Sequence, residues 1–583
     1  MPANTNDTTT AARDEDDFCA THKPWQRSAV ERWSVVWPTL APSSSTPPPS
    51  PPPPPPPPFC VELGRPFTFK LIARDNNGVR VCRGGDYVEA LVIGEKVRAR
   101  VRSVDNGDGI YTLRLLLPDD ARLVGDVNLT MQLLFQALGG LARSPSYNDD
   151  YVDKPILPPT PLRFERAGGC SGGDMNSYSS ASSQAQPLLP PTRECSTIDF
   201  TSEPFWDGHW LRATDIGSES GPCAPNACTG ALPSNVLTSP WVYRLRSCLM
   251  RLYDPPAARE CMNGSWLFSS GDSNFLDTAG NILNNTLGLT VQDVIDMPAA
   301  LPRGRSFDVR GQYPNVPDDG VGNVAPFWNN ASFSFRIGNV WNAAPFESGE
   351  PHMQCCHGVA LSSNPEFRGK HEGLLRGPGA AGKGPDIIYV NSGLHDGMRY
   401  SLSQWGLRDF ASDVIMLAVP FWRGLRSLAA KGQWGPLAEA ENDFECQPRM
   451  FWRSTVAPAG VSRQKRANPQ FVEIMNRIVA SALQAAGFSE PKGEGAGADD
   501  GDEREEDEND VEVTRRKGHN CARPHHTATP TWSFLDAFDL TFPFHMDNKW
   551  SDGGHYGRHY WAESDHVDRM LIQTLLNGLG CKK

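Results

Sequence analysis

The segment Gly264 to Phe275, GSWLFSSGDSNF, constrains the chain more than any other. Trp266, Leu267 and Phe268 make a short continuous apolar run, which predicts a buried strand of the parallel type. Gly271 ends that run with a turn that a side chain would obstruct. Phe275, Leu276, Ile282 and Leu283 then recur at roughly helical spacing, so the turn leads directly into a helix with Ser273 near its first turn. A hydroxyl at such a corner stands at the carboxyl edge of a sheet, where open α/β folds bind ligands. The helix N-terminus beside it offers N–H groups to an oxyanion.

A serine hydroxyl needs a base to act as a nucleophile. Near the other end of the chain, NKWSDGGHYGRHYW places Asp552 and His555 on either side of two glycines. That spacing lets the carboxylate hold the Nδ1–H of the imidazole and leaves Nε2 to take the serine proton. His545, His559 and His566 are nearby imidazoles with no carboxylate in the same loop arrangement. The candidate triad is therefore Ser273, Asp552 and His555. Either motif alone is weak; the pair, each at an element boundary, carries the expectation.

Between these motifs the chain reads as βα units. ASFSFRIGNVWNAAP, Ala331 to Pro345, alternates as a strand, with Gly338 at or beyond its end. Asp386 to Val390 is a second apolar strand, ending in the turn NSGLHD that holds His395. A helical pattern from Ser401 is interrupted at Pro420, RMFWRSTVAPAG supplies another strand, and NPQFVEIMNRIVASALQAAGF is an amphipathic helix with an Asn-Pro start. TWSFLDAFDLTFPF is the expected last strand, and SDHVDRMLIQTLLNGL the expected last helix. This succession predicts a parallel sheet covered by helices.

The N-terminal half has another grammar. Residues 1–59 are polar and proline-rich, so they are expected to be disordered, with a short amphipathic helix in KPWQRSAVERWSVVWP and a stiff polyproline II spacer from Pro47 to Phe59. Over 60–141 the period becomes two: PFTFKLIARD, GGDYVEALVIG, VRARVRSVD and IYTLRLLLPD alternate between the turn signals NNG and DNGDG. Short strands at that density predict an immunoglobulin-like β-sandwich. Residues 142–195 read as a linker, and the acidic run within 490–520 as a disordered solvated insert in the domain spanning 196–583.

GDS after a strand, with DxxH near the C-terminus, resembles the SGNH or GDSL hydrolase superfamily. The Trp- and Cys-bearing approach WVYRLRSCLMRLYDPPAARECMNGSWLFSSGDSN is similar to its PC-esterase branch. RDNNG, GGD and DNGDGIYTL resemble the filamin repeat, and a filamin-type domain ahead of a PC-esterase domain is the NXPE-like arrangement. The resemblance implies a flavodoxin-like SGNH domain. It also implies an oxyanion site made by Ser273 N–H, a glycine N–H and His395. Gly338 is the first choice for that glycine, with Gly304, Gly311 and Gly349 as alternatives. The activity implied is acyl transfer to a glycan or polysaccharide, as an O-acetyltransferase or acetylesterase. No cofactor is expected to be resident; an acyl donor, acetyl-CoA being one candidate, would be a co-substrate. The rival reading is a catalytically silent extracellular adhesion or glycan-binding protein, with protein contacts through the filamin-like domain.

Composition narrows the partners. With 583 residues and a net charge of -13, the chain lacks the basic balance that nucleic-acid binding requires. No apolar run is long enough to span a bilayer. Fourteen cysteines and sequons at Asn6, Asn128, Asn263, Asn284 and Asn330 point to the secretory pathway, Golgi lumen or extracellular, although no signal peptide is visible. The cysteines show no metal spacing. Disulfides are expected among them, with Cys223, Cys228, Cys248 and Cys261 clustered ahead of Ser273 and their connectivity left open.

Overall fold

The computed structural model describes residues 32–37, 58–135, 151–170, 186–200, 206–212, 241–271, 274, 278, 281–282, 286–287, 323–324, 327–329, 334–341, 385–391, 407–431, 447–459, 469–486, 526–527, 532–546, 551, 556 and 565–581. Ten strands build the first half: β1 (Arg32–Val36), β2 (Phe59–Glu62), β3 (Phe67–Arg74), β4 (Tyr87–Gly94), β5 (Val97–Asp105), β6 (Ile110–Leu115), β7 (Gly125–Phe135), β8 (Tyr151–Glu165), β9 (Gly208–Arg212) and β10 (Trp241–Leu245). They follow the order β1-β3-β6-β5-β4-β7-β8-β2, with β9 on β5 and β10 on β9. The sheet curls over on itself because β5 serves both layers: Arg98 to Val101 pair with β4, and Arg102 to Asp105 pair with β6. Alternate residues such as Phe69, Leu71, Val92, Ala99, Val101, Tyr111 and Leu113 fill the space between the layers. This is the curled, two-layered β domain that the period-two pattern predicts.

The turns have local causes. Asp75 Oδ1 accepts from Asn77 N and Val79 N, both at 2.9 Å, while Gly78 takes φ +79°. Gly109 has φ +83°, and a Cβ there would lie 1.7 Å from the Val81 carbonyl oxygen, so the second glycine of DNGDG is sterically required.

Three expectations are corrected. Arg32–Val36, within the supposedly disordered N-terminus, is a strand paired with β3, not a helix. Trp33, Val35 and Trp37 alternate onto the sandwich core, Trp33 against Tyr111 and Trp37 against Phe59 and Phe69. Tyr151–Glu165, within the supposed linker, is a 15-residue strand on β7. It accommodates its prolines because its outer side meets β2 only at Leu162–Glu165, and because its register against β7 is broken by irregularities. Finally, the two described cysteines of the cluster ahead of Ser273, Cys248 and Cys261, do not bond each other, while Cys223 and Cys228 lie outside the described residues. Cys248 bonds Cys195, Cys261 bonds Cys581, and Cys60 bonds Cys170. Cross-links of this kind belong to an oxidising compartment.

The second half contains β11 (Ser265–Gly271), β12 (Asn323–Val324), β13 (Phe327–Asn329), β14 (Ser334–Trp341), β15 (Ile387–Asn391), β16 (Gln447–Arg453), β17 (His526–Thr527) and β18 (Trp532–Leu535). Five of these are mutually parallel in the spatial order β14-β11-β15-β16-β18. In order of appearance that is 2-1-3-4-5. Both faces are buried, as near-continuous apolar strands demand. Leu267, Ile387, Tyr389, Phe451 and Leu535 face one core, where the helix α6 (Asp565–Leu579) packs. Trp266, Phe268, Ile388, Val390, Met450 and Trp452 face the other. There lie α2 (Leu407–Asp413), α3 (Val419–Lys431) and α4 (Pro469–Ala485). Pro420 does not end its helix. A π-helical turn, Val414–Ala418, joins α2 to α3 just before it, so the missing proline donor falls where the ladder is already offset. The last predicted strand is shorter than expected: after Leu535 the chain forms a short helix, α5 (Ala537–Thr541).

α1 (Pro255–Met262), capped by Asp254, leads into β11. Its approach is pinned by two side-chain amides of α6: Asn577 exchanges bonds with Arg251 N and O, at 2.9 and 2.8 Å, and Gln573 with Tyr253 N and O, at 2.7 and 3.1 Å.

Candidate active site at the carboxyl edge of the parallel sheet

Register brings the strand ends into one row. Gly271 lies opposite Trp341 of β14, Asn391 opposite Arg453, and Arg453 opposite Leu535. One residue before the end, Ser270 pairs with Val390. Segments leaving this row are therefore presented on one rim, the position at which open α/β sheets bind ligands.

Ser273, Asp552, His555 and His395 lie outside the described residues. Their described neighbours do not. Gly271 closes β11 in this row, and Asn274 just beyond it is buried. On either side of Asp552 and His555, Ser551 and Tyr556 are buried, and Tyr556 OH donates to the Ala457 carbonyl, 2.8 Å away, four residues past the end of β16. Ala457 N in turn donates to Thr541 Oγ1, at 2.9 Å, at the end of α5. His395 follows β15 by four residues. Gly338 is corrected: it sits inside β14 opposite Phe268, three residues before the row, so its peptide belongs to the sheet ladder rather than the rim. Gly304, Gly311 and Gly349 are outside the described residues.

A polar cluster that sequence reasoning missed lies buried under the rim. Thr278 Oγ1 stands between Arg453 Nη1, 2.5 Å away and donating, and Asp568 Oδ1, 2.6 Å away and accepting. Asn281 Nδ2 donates to the other Asp568 oxygen at 2.5 Å, and Asn391 Nδ2 to the Arg453 carbonyl at 2.8 Å. The cluster ties the helix that follows β11 to the ends of β15 and β16 and to α6. Burial pushes the Tyr389 phenol beside it up to about 12, with Arg453 opposing the rise. A buried guanidinium and carboxylate joined through a shared hydroxyl hold geometry rather than react. The one signal in the sequence was an aspartate on the apolar face of the last helix.

His545, a competing imidazole, is fully buried in the joint between the halves. Its Nε2 is 2.9 Å from Glu89 Oε2, and its Nδ1 faces the Phe542 carbonyl. Around it the outward faces of β4 and β5 dock on α4 and α5. Arg100 donates to Glu473 and Asp539, both at 2.6 Å, and Arg102 to Asp539 at 2.5 Å. Burial would raise the Asp539 carboxyl, but Arg102 and Arg100 outweigh it and hold the group down to about 2. Asp536 goes the other way, pushed well up by burial and by the charge of Asp539. Arg100 also lies 4.0 Å over the Phe542 ring, and Leu91 packs with Ala457, Val472, Phe538 and Phe542. The β domain is thus fixed directly against the elements that leave the rim.

No family model matches the chain, and no curated protein matches it. Among solved structures, the crystal structure of the Lin-41 filamin domain matches at 15% identity over 24% of this chain and 96% of that domain, with a TM-score of 0.15. At that score the likeness carries no argument. The β domain described above stands on its own topology.

Proposed function

We propose that the parallel-sheet half is a flavodoxin-like SGNH domain of the PC-esterase type and catalyses acyl transfer through Ser273, His555 and Asp552. The observation that carries this reading is the row of strand ends. Gly271, two residues before the serine, and Tyr556, the residue after the histidine, are anchored at the same edge. β11 and β16 are two strands apart, roughly 10 Å, a gap that a strand-end loop from each side spans. The 2-1-3-4-5 parallel order supports the flavodoxin-like class, whose ligands bind at this edge.

In this reading His555 takes the Ser273 proton as the hydroxyl attacks an acyl carbonyl, and Asp552 holds the imidazole in the required tautomer. Ser273 N–H and His395 donate to the oxyanion. His555 gives that proton to the donor's leaving group as its bond to the acyl carbon breaks and the acyl-serine forms; it then takes the proton of the attacking sugar hydroxyl or water and returns it to Ser273 Oγ as the acyl group leaves the serine. The substrate class is a glycan with an acetyl-type donor, and the setting is the secretory pathway. The disulfides support an oxidising compartment, and among the described residues no helix is long and apolar enough to cross a membrane.

The test is incubation of the full chain with an activated acetyl ester, followed by mass spectrometry of the Ser273 peptide. Acetylation of that peptide in the native chain, and at least a thousandfold loss of ester turnover in Ser273→Ala, is the expected result. Equal turnover by both proteins would remove the triad.

A further inference from the structure

Between the two halves lies a cleft of about 400 Å³ whose walls carry Arg100, Arg102, Arg114, Arg246, Arg477 and Asp207. It forms where the first sheet parts: β9 runs beside β5 at Val97 and Arg98, and β6 takes its place from Arg102. α4, which starts at the carboxyl edge of the parallel sheet, closes the cleft through Arg477. We infer that this cleft is a binding site for an anionic sugar, one bearing a carboxylate or a sulfate.

Charge is the first ground. Five guanidinium groups meet three carboxylates: Asp207 in the wall, and Glu473 and Asp539 behind it. Two positive charges are left over. Arg100 and Arg102 are committed to the joint, whereas Arg114 is exposed and Arg477 is 56% exposed. Arg246 reaches Asp207 at 2.6 Å with a third of its side chain in solvent.

Register is the second ground. Arg102 and Arg114 are directly opposed across β5 and β6, and like charges in that position weaken a sheet. Arg102 is held by Asp539 and the Trp206 carbonyl, so the charge left to be relieved at the mouth of the cleft is that of Arg114, whose planar guanidinium can take carboxylate or sulfate oxygens in pairs.

The remaining lining selects a sugar over a bare ion. Val104 and Leu116 supply exposed or half-exposed aliphatic surface to the wall, which an inorganic anion would not use and the C–H face of a pyranose would. His209 also lines the cleft; it is buried, and its Nε2 meets no hydrogen-bond partner among the described residues. Burial, partly opposed by Asp120, lowers that imidazole to about 4, so at neutral pH it is an uncharged group suited to a hydroxyl. The volume is in the range of small-ligand sites.

The site rests on binding alone. If the proposed acyl transfer holds, it also names the acceptor class.

The experiment uses the full chain in calorimetric titrations with trigalacturonate, a sulfated trisaccharide and a neutral trisaccharide. Expected is binding of at least one anionic probe, at least tenfold tighter than the neutral one and weakened by added salt. The double variant Arg114→Gln, Arg246→Gln should lose at least tenfold in affinity while keeping the native thermal midpoint, because neither residue belongs to the joint with Glu473 and Asp539. The tighter of the two anionic arms identifies the substituent. Equal affinity for the neutral probe, or unchanged binding by the double variant, overturns the inference. Ser273→Ala should bind as the native chain does, so failure of catalysis and failure of this site are told apart.

Discussion

The two faces of β5 are buried for opposite reasons. One face presents Val97, Ala99 and Val101 to the sandwich core, where apolar area leaves water. The other presents Arg98, Arg100 and Arg102 to the joint with the second half of the molecule, where each cation meets a π-face, a carboxylate or a carbonyl. Arg98 lies over Trp241 and Phe544, Arg100 meets Glu473 and Asp539, and Arg102 meets Asp539 and the Trp206 carbonyl. A core tolerates many apolar substitutions of similar volume. A joint of charges does not, because removing one member strands the others in a dry site. The apolar face makes the β domain, and the charged face fixes where that domain sits.

The hardest way to break this contrast is Arg100→Ala, which leaves Glu473 and Asp539 without their shared partner. A loss of about 3–5 kcal/mol is expected in urea unfolding. Leu113→Ala, wholly within the sandwich core, should cost a comparable 2–5 kcal/mol or so. The two differ in salt dependence, since only the first removes charge. If Arg100→Ala loses less than about 1 kcal/mol, the value of a surface pair, the joint is not buried as described.

Next in size is an acid effect that separates the regions by pH. His209 is depressed from its ordinary 6.5 to about 4, so the folded chain holds it neutral while the unfolded chain binds a proton. Its stability is complete above 6.5 and is lost as pH falls through 4, a total of about 3 kcal/mol. Asp539 works in a lower window: its carboxyl is depressed from 3.8 to about 2, so its contribution is present above 3.8 and lost as pH falls through 2. His209→Gln should therefore remove the acid loss between pH 6.5 and 4, leaving there only the opposite slope of Asp536, whose raised carboxyl favours the fold at the acid end of that window, and keep the steep fall below 3.8. A native-like loss in the upper window would show that another group carries it.

How much could be read beforehand follows the same division. The apolar period gave the sandwich strands, the buried strands β11 and β15, and the turns at Gly78 and Gly109, because each is settled by neighbours in sequence. VRARVRSVD showed its alternation, but nothing local says whether the arginine face meets water or Glu473. That partner lies more than 370 positions away. The same blindness hid the Arg453–Thr278–Asp568 cluster, whose members come from three distant elements. The prolines of β8 argued against a strand, correctly for a central one and wrongly for an edge. Of the site itself, the strand end at Gly271 was legible, and the interior position of Gly338 was not, since a glycine within a strand looks like one beyond it.

The smallest effect sharpens the contrast from the N-terminal side. In ERWSVVWP the alternation of Trp33, Val35 and Trp37 has the period of a strand, yet the polar context suggested a helix. β1 is an edge strand whose tryptophans are only half-buried. Trp33 touches Tyr111 edge-on, with ring centroids 5.5 Å apart. Trp33→Ala should remove that pair and part of the apolar cover for about 1–2 kcal/mol, well below a buried tryptophan. The cost should fall on the sandwich alone, because β1 pairs with β3 and its described side chains Trp33 and Val35 pack on the sandwich core: hydrogen exchange should quicken at β3 and stay unchanged at α4. Equal quickening at both would mean that the charged face does not insulate one half from the other, and that apolar packing and the joint fold as one unit.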